Sequence, residues 1–116
     1  MKERLRVNVR FFSARNGGRR MLPAQLLSSR NYMPHLVVGN PNQKTVLVNE
    51  KNEIMEDYLG VVFVAQDAPL IEEKDIVAEI ETLYPGVDYS KLVRGATFTI
   101  REGGSVVDNG EVLQTL

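Results

Sequence analysis

The chain has no cysteine, which excludes disulfide bridges, thiolate nucleophiles and cysteine-ligated zinc. It has one histidine, His35, and neither a G-x-S-x-G elbow nor an H-E-x-x-H pair accompanies it. No acid, base and nucleophile set can be assembled, so no catalytic residue and no metal or other cofactor is expected. No G-x-x-x-x-G-K-[ST] loop occurs, so there is no phosphate cradle and no GTP binding to expect. No apolar run approaches the roughly 18 residues of a membrane helix, and no apolar h-region follows Met1-Lys2-Glu3-Arg4. The expectation is a cytoplasmic protein without a signal peptide or membrane contact.

What is present is the balance of an ordinary globular domain: 116 residues, 43% hydrophobic and 25% charged. That length allows one core and one domain, residues 1–116. The net charge of −1 conceals an asymmetry. Residues 1–30 carry eight bases against the single acid Glu3, a net of +7. The other 86 residues carry six bases and fourteen acids, a net of −8. Such a split suits either an anionic partner for the N-terminal part or a dipolar surface used in protein association.

Residues 4–13 open with a strict alternation, Leu5, Val7, Val9 and Phe11 against Arg4, Arg6, Asn8 and Arg10. Period two predicts a half-buried strand, with same-face residues about 6.6 Å apart and the arginines forming an outer basic row. Asn16-Gly17-Gly18 supplies a turn. Further strands are predicted at 36–39, 44–49, 59–65, 97–101 and 111–115, separated by Gly-, Asn-, Asp- and Pro-containing stretches. Many short strands point to a barrel or sandwich. Asn109-Gly110 predicts a type I′ turn closing a terminal hairpin over 105–112. Residues 71–84 are ambiguous by pattern, since Ile76, Ile80, Leu83 and Tyr84 fit a helical stripe and Ile76, Ala78, Ile80, Thr82 and Tyr84 a strand face.

The string Phe98-Thr99-Ile100-Arg101-Glu102-Gly103-Gly104-Ser105-Val106-Val107-Asp108-Asn109-Gly110-Glu111-Val112 resembles the C-terminal end of elongation factor Tu, whose third domain closes with a strand reading I-R-E-G-G. Gly17-Gly18-Arg19-Arg20 resembles that family's G-G-R-H, Asn31-Tyr32-Met33-Pro34-His35-Leu36 its N-Y-R-P-Q-F, and Leu83-Tyr84-Pro85 its I-H-P. The matches keep their order over about residues 6–114. The resemblance implies an all-β fold, a single small antiparallel β-barrel of the translation-factor type with six or seven strands, and it resolves residues 71–84 toward a strand. It departs from the family in lacking the GTPase domain and second barrel, in Met33 standing where the family has arginine, in Asn40-Pro41-Asn42-Gln43 after Gly39, and in an inserted acidic loop at 50–57.

In the family this barrel helps hold the T stem of aminoacyl-tRNA through the G-G-R-H loop. By position the resemblance places Arg19 and Arg20 at a phosphate-facing loop, with Arg15 and Arg30 beside it. The implied function is a translation-linked, non-enzymatic module that binds the tRNA or RNA backbone or a translation-factor protein. Each phosphate neutralised would contribute a slope of roughly −0.9 in log K against log salt, with no sequence readout. The competing explanation is a solvated strand face paired with acids of a neighbouring strand. The alternative function, suggested by the acidic remainder, is a protein-interaction module (inhibitor, immunity or mimicry protein) that binds no nucleic acid. Arg101 and Glu102 are read as an outward cross-strand ion pair and Gly103-Gly104 as turn or bulge geometry. His35 is read as a core-edge or surface residue. Glu79 and Glu81, near a glycosidase carboxylate spacing, are more simply a solvent-facing strand, and Glu72, Glu73 and Asp75 a solvated turn.

Overall fold

A computed structural model describes residues 3–13, 23–43, 49–51, 56–103 and 105–116. Six antiparallel strands form one closed barrel: β1 (Arg4–Phe11), β2 (His35–Val38), β3 (Leu59–Gln66), β4 (Asp75–Thr82), β5 (Thr97–Glu102) and β6 (Ser105–Thr115), in the spatial order β1-β4-β3-β2-β5-β6. One 3-10 turn, Leu26–Ser28, stands between β1 and β2. Closure means that each of the described strands has a neighbour on both sides.

The alternation of β1 is obeyed residue by residue: Leu5, Val7, Val9 and Phe11 are fully buried. Each such side chain contributes about 1.5–3 kcal/mol when buried, so this one strand accounts for a large share of the core. β4 follows the strand alternative for the ambiguous segment, burying Ile76, Ala78, Ile80 and Thr82. Tyr84 lies beyond the strand and is 51% exposed. β3, the most apolar strand, carries Val61 and Phe63 inward and keeps Val62 and Val64 covered as well.

Off-strand residues complete the core at both ends of the barrel. At the end where β1 finishes, Tyr32 stacks on Phe63 with ring centroids 5.6 Å apart and meets Phe11 at 5.9 Å, beside Leu27 and Leu70. Tyr32 sits in the Asn31-Tyr32-Met33-Pro34 string, so that motif serves packing here. At the other end Leu92 and Tyr89 pack against the core, and the Tyr89 hydroxyl donates to the Gly60 carbonyl at 2.6 Å.

The terminal hairpin expected at Asn109-Gly110 is not formed, because β6 runs unbroken from Ser105 to Thr115. The chain reverses instead between the paired Glu102 and Ser105, with Gly103 at φ +58°. This agrees with the turn read for Gly103; residue 104 lies outside the described set. Gly110 is needed for a different reason. A Cβ there would stand 2.4 Å from the Asn8 carbonyl oxygen and 2.7 Å from Cζ of Phe98, so the absent side chain is what lets a core phenylalanine lie across β6. The turn of 16–18 and most of the strand expected at 44–49 lie outside the described residues. Asn49, the last residue of that expected strand, is not in a strand, and neither are Glu50, Lys51, Glu56 and Asp57 of the expected inserted loop.

Candidate functional site

The outer face of β1 carries the basic row that the alternation demands, and β4 lies against it in register, Arg4 opposite Glu81, Arg6 opposite Glu79 and Arg10 opposite Asp75. Arg4 Nε is 2.8 Å from Glu79 Oε1, Arg6 reaches the same carboxylate at 3.6 Å, and Arg10 Nε donates to Asp75 Oδ1 at 3.1 Å. The Arg4 contact is charge proximity without hydrogen-bond alignment, since Arg4 Nε has no hydrogen-bond partner. Each of these partly exposed cross-strand pairs is worth about 0.2–1 kcal/mol. Their larger effect is on the field, because three arginines are neutralised by three acids. Glu79 and Glu81 are thus each engaged by arginines of β1 on a partly exposed strand face.

Of the four residues expected at a phosphate-facing loop, Arg15, Arg19 and Arg20 lie outside the described residues. Arg30 is exposed, at φ +62°. The described residues flanking 14–22 attach to the same barrel end: the Ser13 N–H donates to Glu73 Oε2 at 2.6 Å, and the Leu70 N–H donates to the Ala24 carbonyl at 2.8 Å. The Ser28 N–H donates to Gln66 Oε1 at 2.9 Å, which ties the approach to Arg30 to the end of β3. Glu72 and Glu73 form the expected exposed turn here, with Glu73 at φ +61°, whereas Asp75 opens β4 and pairs with Arg10.

Arg101 departs from its expected setting. It points away from the barrel interior, as alternation requires, yet it is fully buried and its partner is not on a neighbouring strand. Residues 56–58 lie over the outer face of β5, and Glu56 takes both prongs of the guanidinium, at 2.6 and 2.9 Å. Arg101 Nε donates to Thr99 Oγ1 at 2.9 Å, and the Tyr58 ring stands 5.6 Å from the guanidinium carbon. Burial opposes the Arg101 charge, but hydrogen bonds to Glu56 and Tyr58 and the charge of Glu56 outweigh it, so its pKa lies above the ordinary arginine value. Gln43 Nε2 donates to Glu56 at 2.8 Å, and half-buried His35 stands beside Tyr58, ring centroids 5.5 Å apart. Glu102 accepts from the Tyr32 hydroxyl. The alternating pattern names a face; it does not say that a loop will cover it.

Asp108 was absorbed into the expected hairpin and is instead a buried acid at the end of the barrel. In register opposite Phe11 and Ile100, it is fully buried, and its Oδ2 has no hydrogen-bond partner. Burial pushes its pKa well above the usual carboxylate range, against hydrogen bonds from the Asn109 and Arg10 backbone N–H groups, while nearby Asp75 and Glu73 push it higher.

No protein-family model and no curated protein sequence matches the chain. Among the described residues no helix is long and apolar enough to cross a membrane, and no group of three or more His, Cys, Asp or Glu side chains could hold a metal ion. The candidate site is the end of the barrel where β1 finishes, to which the described residues on either side of 14–22 attach.

Proposed function

We propose that the chain is a non-enzymatic, translation-linked binding module of the kind formed by the C-terminal barrel of elongation factor Tu, working in the cytoplasm and contacting the backbone of tRNA or another RNA through Arg15, Arg19, Arg20 and Arg30. The observation that carries this reading is where positive charge is left over. The arginines of β1 are matched by acids of β4, and the described residues carry nine bases against fourteen acids, a net of −5. Arg15, Arg19, Arg20 and Arg30 fall within residues 14–30, which hold no acid. The test is titration of tRNA into the protein at about 50 mM salt and upward, with affinity expected to fall steeply as salt rises. Absence of binding at the lowest salt rejects the reading.

A second reading, a protein-interaction module that binds a translation factor or acts as an inhibitor, immunity or mimicry protein, is favoured by the same net of −5, which repels RNA from most of the described surface. Capture of partners from lysate with and without nuclease separates the two: partners lost on nuclease treatment support the RNA reading, and partners that survive nuclease and salt support the protein reading.

A further inference from the structure

At the barrel end opposite the cationic segment, eight β1 residues or about 26 Å away, a half-exposed tyrosine is held in place with unusual care. The Tyr84 ring lies across Gly60, where a Cβ would come within 2.2 Å of its Cε2. The Tyr84 backbone N–H donates to the Tyr89 hydroxyl at 3.2 Å, and that hydroxyl donates in turn to the Gly60 carbonyl at 2.6 Å. The Val87 N–H closes the turn on the Tyr84 carbonyl at 3.1 Å. A ring seated this way keeps one face on the barrel and offers the other to solvent at little further loss of rotamer freedom.

That ring lines a hollow of about 510 Å³ with Glu3, Val87 and Asp88. A second hollow of about 630 Å³ adjoins it, sharing Val87 and Asp88 and running on to Asp57 and Lys91. The Asp88 carboxylate accepts the Ser90 N–H at 2.9 Å, and its hydrogen bonds to Ser90 lower its pKa, which holds it ionised in a fixed orientation. Lys91 is 3.7 Å from Asp57, and Glu56 is committed to Arg101. Among the described residues no cation lies within ion-pair distance of Glu3 or Asp88, although the charge of Lys91 adds to the lowering of the Asp88 pKa.

We propose that this hollow is a docking site for an arginine side chain presented by a protein partner, with the guanidinium between the Tyr84 ring and the Asp88 carboxylate and its methylene stem along Val87. Charge complementarity selects the occupant. A fixed aromatic face beside a carboxylate matches a planar cation that stacks and donates hydrogen bonds at once, and arginine does both where lysine offers only a point charge. RNA is repelled by Glu3 and Asp88, and a neutral apolar segment would desolvate Asp88 with nothing to balance it. The site is independent of the RNA-binding reading, since it stands at the opposite end of the barrel and shares no residue with it.

The test is an amide chemical-shift titration of the full chain with N-acetyl-arginine methylamide, alongside its uncharged citrulline counterpart. Shifts are expected at residue 3 and residues 84–90, with arginine binding roughly fivefold tighter than citrulline and weakened roughly fivefold in Asp88→Asn. Tyr84→Ala is expected to remove the preference of arginine over lysine. Equal response to citrulline, shifts confined to the acids of β4, or an unchanged titration in Asp88→Asn overturns the proposal. Sedimentation of the free protein supplies the last outcome: dimerisation abolished by Asp88→Asn would assign the hollow to a second copy of this chain and overturn it as a partner site.

Discussion

Arg101 on β5 and Glu56 on the loop that covers it form a two-pronged salt bridge in which Arg101 is fully buried and Glu56 is 6% exposed. A bridge this dry is costly to assemble and more costly to break. Glu56→Gln, which leaves the guanidinium buried without its counter-charge, is expected to lower stability by about 3 kcal/mol, measured by urea denaturation. Replacing both partners with apolar residues, Arg101→Met with Glu56→Leu, should destabilise less than Glu56→Gln alone. If the two changes simply add, the bridge is not the organising contact of this loop.

Gly110 makes a sharper test of the fold. In a hairpin turn, alanine in its place would strain only a local backbone angle. In an unbroken β6, the added methyl meets the Asn8 carbonyl and the Phe98 ring, and a backbone oxygen at 2.4 Å has little room to retreat. Gly110→Ala is therefore expected to cost about 3 kcal/mol and to lower the thermal midpoint by more than 10 °C, roughly the scale for a domain of this size. A midpoint near that of the wild type would argue for the turn.

Asp108 predicts a pH dependence of definite sign. The folded chain holds this proton more tightly than the unfolded chain, so the group's contribution to stability is full below the ordinary value of 3.8 and is lost as pH rises toward the raised folded value. Each pH unit between the two values removes about 1.4 kcal/mol. Asp108→Asn abolishes that loss, so at the higher of two pH values chosen above the ordinary carboxylate range the variant should gain stability relative to the wild type. Chemical denaturation at the two pH values checks it, and parallel pH profiles for the two proteins would show that Asp108 is not held neutral.

The neutralised face of β1 and the segment that follows it should separate in RNA binding. If the proposed function is right, Arg19→Ala with Arg20→Ala reduces the slope of log K against log salt for tRNA binding by about 1.8, whereas Arg6→Ala leaves it within error because Arg6 is already matched by Glu79. Arg6→Ala is expected to change stability by less than about 1 kcal/mol. Filter-binding isotherms across a salt series give both answers, and an equal effect of the two variants would return the β1 face to consideration.

Much of this molecule was legible before any fold was considered, because alternation has a direct physical cause: successive strand residues point to opposite faces, so Leu5, Val7, Val9 and Phe11 had to share a side. The likeness of Gly17-Gly18-Arg19-Arg20, Asn31-Tyr32-Met33-Pro34 and the I-R-E-G-G string to one small barrel also decided residues 71–84 in favour of a strand, where periodicity alone was even. Three features were not legible, and each turns on something distant in the chain. Arg101 is buried because a loop some 45 residues earlier is folded over it, and period two says which face a residue takes but not whether that face stays open. Gly110 serves a phenylalanine on the next strand, not a turn, and a glycine looks the same in either role. Asp108 is shut in by closure of the barrel against Phe11 and Ile100, and no local pattern distinguishes it from a solvated turn acid. Even the lack of cysteine takes its meaning from this: with no covalent staple available, strand alternation determined which side chains form the core, while closure, loop packing and the cross-strand pairing of charges decided which of the remaining polar groups are still free to act.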